Sequence, residues 1–139
     1  MTISGSCLCG AVRYQSSGTP VMAGNCHCKD CQKSSGSGYA PTLFVPLDTM
    51  KIEGEVRYFE NAGATGGKVQ GGFCPTCGSQ LFSKSESLPT LIAIRAGTLD
   101  DTAQYQPQVD IYVSSAAPWD YIPPHAVTFE KMPPAKPGA

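Results

Sequence analysis

Apolar and polar residues alternate along this chain in short stretches, and helical spacing is scarce. AVRYQ (11–15), YAPTLFV (39–45), MKIEG (50–54), EVRYFE (55–60), SQLFS (79–83), LIAIRAG (91–97) and VDIYVSS (109–115) predict short strands. They are rich in β-branched and aromatic residues, and several alternate between two faces. KDCQKSS (29–35) is the one segment that predicts a helical turn. Fifteen glycines and twelve prolines punctuate the strands at loop positions. The pattern predicts an all-β domain of packed sheets. The domain is expected to run over 1–131, followed by a flexible proline-rich tail, MPPAKPGA, at 132–139. NAGATGGKVQGG (61–72) has the glycine content of a phosphate-binding loop. However, Ala62 stands where the first glycine is needed and Val69 where Ser or Thr is needed, so it predicts a mobile hairpin.

The chain's 139 residues suit one domain with a modest core. Ten basic and eleven acidic side chains nearly cancel, which leaves no electrostatic footprint for nucleic acid or an anionic membrane. The start, MTISGSCLCG, lacks the basic and apolar regions of a secretory signal. No apolar run approaches the roughly 18 residues of a membrane span. These features predict a soluble, cytoplasmic protein.

Seven cysteines change the picture. An odd number cannot all pair within one chain, and the spacings C-x-C, C-x-C-x-x-C and C-x-x-C are those of metal ligands rather than a disulfide scaffold. Cys7-Leu8-Cys9-Gly10 and Cys74-Pro75-Thr76-Cys77-Gly78 each end in a glycine that lets the backbone turn tightly around a metal. Together they would form a closed four-thiolate site. Cys26, Cys28 and Cys31 then remain as a set of three, one short of tetrahedral closure. A zinc ion with three protein ligands keeps a position for water, a thiol or a substrate atom, as catalytic zinc does. A second partition, with Cys7, Cys9, Cys26 and Cys28 in one site and Cys31, Cys74 and Cys77 in the other, satisfies the same count. His27 lies between two ligand positions. Its side chain is expected to point away from the metal and be exposed, with contact to the ligands' surroundings or to substrate as the exception. His125 is expected at the surface or in packing.

GSCLCGAVRY, NCHCKDCQKSSG, GFCPTCGSQLF, GTLDD and APWDYI resemble the glutathione-dependent formaldehyde-activating enzyme family, which includes centromere protein V. The resemblance spans residues 5 to about 123, with all seven cysteines in register. It implies a zinc-dependent β-tent of packed antiparallel sheets and two zinc ions per chain. Cys7, Cys9, Cys74 and Cys77 would hold the structural ion; Cys26, Cys28 and Cys31 would hold the catalytic one. It also implies a carbon–sulfur lyase-type activity like that of S-(hydroxymethyl)glutathione synthase, in which zinc helps glutathione add to formaldehyde. The chain departs from the common pattern in three places. Leu8 stands where many relatives carry histidine, and many also carry a histidine near the segment in which Asp110 precedes Ile111, Tyr112 and Val113. Gly71 and Gly72 precede the Phe-Cys pair where Arg or Lys is frequent, which removes a cation that an anionic thiol would meet.

The rival reading is a non-catalytic, zinc-stabilised binding module. A methionine sulfoxide reductase would need a reactive cysteine outside the zinc sites, and the chain has no eighth. Lys29, Lys33, Arg13, Arg57 and Arg95 are candidates to meet the carboxylates of glutathione, against a plain solvated face for each. Trp119 and Tyr121 are expected to pack the C-terminal segment rather than wall a pocket. Tyr39, just after a Gly-Ser-Gly run, is the first candidate for a substrate contact.

Overall fold

A computed structural model describes residues 2–64 and 66–134, so most of the 132–139 tail lies outside the described residues. The strands are β1 (Ile3–Ser6), β2 (Arg13–Ser16), β3 (Met22–Cys26), β4 (Ala40–Pro46), β5 (Met50–Glu53), β6 (Arg57–Ala62), β7 (Lys68–Phe73), β8 (Gln80–Ser85), β9 (Leu91–Arg95), β10 (Val109–Ile111) and β11 (Thr128–Phe129). The helix α1 (Lys29–Ser35) follows β3. Strands β1-β2-β5 form a small antiparallel sheet, and β11-β10-β3-β4-β9-β8-β7-β6 form a large one.

The core fills the space between the two sheets. Ile3, Val12 and Tyr14 from the small-sheet side meet Leu43, Val45, Leu81, Phe82, Ile92 and Ile94 of the large sheet. The alternation along β2 explains its placement: Arg13 and Gln15 face solvent while Tyr14 and Ser16 are buried. Each fully buried aliphatic or aromatic side chain here contributes about 1.5–3 kcal/mol. The Tyr14 and Phe82 rings meet edge to face at 5.2 Å, which fixes one sheet against the other. Buried Ser16 is satisfied by the Thr49 hydroxyl at 2.8 Å.

The all-β reading and the helix at 29–35 agree with the structure; four strands go beyond the sequence pattern. β1 and β3 are too glycine- and polar-rich to show it (ISGS, MAGNC), and β11 spans only two residues. β7, within the predicted hairpin segment 61–72, is a strand paired on both sides, with β6 and with β8. The sheets are not wholly antiparallel, because β10 runs parallel to both β3 and β11. The strand expected over 109–115 stops at Ile111, since Tyr112 takes a left-handed φ of 58° and a 3-10 turn follows.

This topology gathers the chemistry at one end of the large sheet. β3 and β7 end there and β4 and β8 begin there, because the pairs Cys26↔Ala40 and Phe73↔Gln80 stand in register. β9 also ends there at Arg95, beside Thr42, and β10 ends beside Cys26 at Ile111.

Gly5 controls how β1 enters this arrangement. A methyl group on it would collide with the Thr98 carbonyl and the Tyr14 hydroxyl. Gly5→Ala is therefore expected to lower stability by about 1–3 kcal/mol, as overpacking does. Urea unfolding of the metal-loaded protein measures this, and an unchanged midpoint would contradict the close approach.

Candidate metal centres

Two turns with the same hydrogen-bond pattern carry the first cluster. In the turn after β1, the Gly10 N–H donates to the Cys7 carbonyl (3.2 Å) and the Cys7 N–H to the Val12 carbonyl (3.0 Å). In the turn after β7, the Gly78 N–H donates to the Cys74 carbonyl (2.8 Å) and the Cys74 N–H to the Ser79 carbonyl (3.0 Å). Gly10 and Gly78 have φ of 80° and 78°, a left-handed conformation that only glycine enters without strain. The Leu8 N–H donates to Ser79 Oγ at 3.0 Å and ties one turn to the other.

The sulfur atoms of Cys7, Cys9, Cys74 and Cys77 all lie within 4.8 Å of one another. Cys7–Cys9 and Cys9–Cys74 are 3.7 and 3.8 Å apart, far beyond disulfide bonding. Four sulfurs placed tetrahedrally about 2.3 Å from a zinc ion would be about 3.8 Å apart. The donor set and its spacing fit zinc.

Cys26, Cys28 and Cys31 form the second cluster, again within 4.8 Å. Cys26 ends β3, Cys28 caps α1, and the Cys31 N–H in the first helical turn donates to the Cys28 sulfur at 3.4 Å. The neighbouring Cys26 and Cys31 thiols hold Cys28 well below the usual thiol range, at about 2. Cys28 in turn pushes Cys26 up to about 11, and Cys26 and Cys28 together push Cys31 further up. Three sulfurs this close cannot all be thiolates unless a cation sits among them. This cluster too can hold a metal ion, and among the described residues it presents three Cys, His, Asp or Glu ligand atoms. The seven cysteines thus gather as Cys7, Cys9, Cys74 and Cys77 and as Cys26, Cys28 and Cys31, not as in the second partition.

His27 corrects the expectation of exposure. It is 1% exposed, its Nδ1 lies 2.6 Å from Asp120 Oδ2, and its Nε2 lies 2.7 Å from Asp110 Oδ1. A neutral imidazole has one N–H, so satisfying both contacts requires a second proton, on the ring or on a carboxyl. The His27 N–H also donates to the Ile111 carbonyl, and the Gln32 side-chain amide donates to the carbonyls of His27 (2.7 Å) and Ser115 (2.9 Å). The three-cysteine loop is therefore bolted to β10 and the segment beyond it. Asp120 went unsuspected in the sequence, and Asp110 stood out only as a departure from relatives. No local pattern could join residues 27, 110 and 120; the parallel pairing of β3 with β10 does so. Tyr112 was missed for the same reason. Burial and the nearby sulfurs of Cys26, Cys28 and Cys31 push its phenol up.

The remaining candidates separate cleanly. Lys29, Lys33 and His125 are exposed, and so is Leu8, which meets no ligand position. Arg13 and Arg57 are exposed beside Asp100 and Glu55, at 3.9 and 3.8 Å. Trp119 and Tyr121, expected to pack, are 73% and 76% exposed. They lie on either side of Asp120, whose side chain is buried against His27, so the segment is held by that polar contact and its aromatic rings stay outside. Gly71 and Gly72 lie in β7, where a methyl on Gly72 would strike Tyr58. Tyr39 is half-buried with its ring 5.3 Å from that of His27. Arg95 is half-buried at the end of β9.

Fold and clusters together define a two-sheet β protein with one four-cysteine and one three-cysteine cluster, each able to hold a metal ion. The family model for the glutathione-dependent formaldehyde-activating enzyme matches residues 2–115, and the chain belongs to that family. A Halomonas elongata protein named "Putative glutathione-dependent formaldehyde-activating enzyme" is 30% identical over 125 residues, covering 86% of this chain and 80% of that one. A crystal structure of a Rhodobacter sphaeroides protein superposes with a TM-score of 0.58 at 22% identity, covering 70% of this chain and 87% of that one. That likeness bears on the fold.

Asp120→Ala would leave buried His27 with one partner. Breaking a buried charge-assisted pair costs about 3 kcal/mol or more, so a loss of that size is expected in denaturant unfolding of the metal-loaded variant. A change below about 0.5 kcal/mol would show that the clamp carries no stability.

Proposed function

We propose that the chain is a zinc-dependent carbon–sulfur lyase-type enzyme that adds a small thiol, glutathione foremost, to formaldehyde or a related electrophile. The observation that carries this reading is the division of the cysteines into a cluster of four and a cluster of three. Cys7, Cys9, Cys74 and Cys77 come from two sheets and leave no ligand position, so their zinc serves the fold. Cys26, Cys28 and Cys31 come from one loop and leave a fourth position for the thiol. Zinc there would supply the positive charge that keeps an incoming thiol deprotonated near neutral pH.

The chain's own residues present and hold this site. α1 fixes Cys31 against Cys28, and the His27–Asp110–Asp120 clamp holds the strand end that carries Cys26. Tyr39 and Tyr112 border the loop, Tyr39 against the His27 ring and Tyr112 near the three sulfurs. In the reaction the thiolate sulfur forms a bond to the carbonyl carbon, the C=O pair moves to oxygen, and that oxygen takes a proton. The reverse breaks the carbon–sulfur bond. All seven cysteines are free thiols, which suits a reducing cytoplasm. Among the described residues no helix is long and apolar enough to cross a membrane. The catalytic domain is taken to run over 1–131.

Metal analysis of protein purified without chelator should approach two zinc ions per chain. Cys31→Ser should fold and retain about one. Cys74→Ser should lose the fold, because structural zinc binding supplies folding free energy of order 10 kcal/mol. The opposite ranking in thermal melts would reverse the two roles.

Cobalt substitution tests the chemistry, since thiolate-to-cobalt absorption reports a ligand change. Glutathione should shift the spectrum of the wild type and leave Cys31→Ser unchanged. No shift and no calorimetric heat at millimolar glutathione would leave a zinc-stabilised binding module instead.

A further inference from the structure

At the end of the large sheet, between the C-terminal end of α1 and the Cys74–Cys77 turn, lies a groove of about 450 Å³. It is within the usual size for small-molecule sites, roughly 300–1,000 Å³. Ser35, Tyr39, Gln80, Arg95 and Gly97 are among its walls. Two of these carry polar atoms that the fold leaves unsatisfied. Nε and Nη1 of Arg95 and Oε1 of Gln80 are shut off from solvent and have no hydrogen-bond partner among the described residues. Those residues also place no carboxylate within ion-pairing distance of Arg95, whereas Arg13 and Arg57 each have an acidic neighbour. Burying two guanidinium nitrogens without an acceptor is costly, and it leaves Nη2, the nitrogen not shut off, as the one a ligand can meet.

We infer that this groove seats a carboxylate of the ligand, with Arg95 as its cation. The ligand class is a peptide- or amino-acid-type acid. The inference rests on the thiol reading and says what part of the thiol compound gives it affinity. Position supports it. Ser35 lines the groove four residues after Cys31, on the same face of α1 and about 6 Å along the helix. The Ser35 hydroxyl donates to the Cys31 carbonyl at 2.7 Å, and Tyr39, another wall, lies against His27. An extended peptide spans about 3.3–3.6 Å per residue, so a tripeptide thiol with sulfur at the three-cysteine site reaches the groove with its acid end. The groove walls hold no Asp or Glu to repel that end.

The test separates the carboxylate from the sulfur. S-methylglutathione has no free thiol but keeps both carboxylates, and it should bind zinc-loaded wild type by calorimetry. Its dimethyl ester should bind at least tenfold more weakly, the size expected for one charge-assisted hydrogen bond. The two monoesters identify which carboxylate sits on Arg95, since one of them should lose as much as the dimethyl ester. Arg95→Gln should show the same loss for the acid and none for the ester. Gly97→Leu offers a second variant, because a Cβ at Gly97 meets nothing within 4 Å and the added bulk would enter free space at the groove wall. It too should weaken the acid at least tenfold. In cobalt-loaded protein, 2-mercaptoethanol, which has no carboxylate, controls for the metal site. If acid and ester bind alike, or Arg95→Gln binds S-methylglutathione as well as wild type does, the groove assignment is overturned. A glutathione-induced spectral shift would then leave the thiol reading standing. Conversely, Arg95-dependent binding of S-methylglutathione with no shift from either thiol would keep the groove and overturn the thiol reading.

Discussion

The constraint on which the rest depends is the crowding of four sulfur atoms drawn from two different sheets. Cys7 and Cys9 follow the first strand of the small sheet, while Cys74 and Cys77 join two strands of the large one. Their sulfurs approach within 4.8 Å, a distance at which thiolates repel unless a cation lies between them. An ion that cancelled this repulsion would also close the gap between the sheets. The apolar layer around Phe82 and Tyr14 is modest for 139 residues, so a metal cross-link at its rim would add what a small core lacks.

The three-cysteine cluster is held on a different principle. Its ligands come from one loop, which by itself would leave their geometry loose. The missing rigidity comes from hydrogen bonding: His27 faces away from the sulfurs and is gripped by Asp110 and Asp120, while Gln32 ties the loop to Ser115. Cys26 and Cys28, on either side of His27, are thereby fixed without a fourth protein ligand. A centre can stay open to an incoming thiol and still be ordered when its rigidity is supplied from behind.

These two centres bracket the groove that ends at Arg95. The Gly78 turn of the closed site forms one side and the end of α1, which carries Cys31, forms the other. A metal in the four-cysteine site would therefore do more than stabilise: it would set the wall against which a ligand at the three-cysteine site would lie. The fold, in this sense, couples the two clusters through the space between them rather than through any bond.

How much was legible in the chain depends on how local each signal is. Seven of the strands, the helix at 29–35 and the grouping of cysteines into short knuckles could be read directly, because alternation and C-x-x-C-Gly spacing act within a few residues. The glycine- and polar-rich β1 and β3 carried too few apolar side chains to announce themselves, and β10 ended early because Tyr112 turns left-handed. Which knuckle pairs with which was open in the sequence, since sulfur counting allows two divisions; strand register decided it. His27 read as an exposed neighbour of ligands, and only the parallel pairing of β3 with β10 brought Asp110 and Asp120 to it. Arg95 was one of five equivalent cations until burial separated it from the others. The sequence by itself determined the ligand chemistry, because that resides in residue types at short spacing. The tertiary structure decided the partners, because charge, burial and hydrogen bonding between distant residues exist only once the strands have found their order.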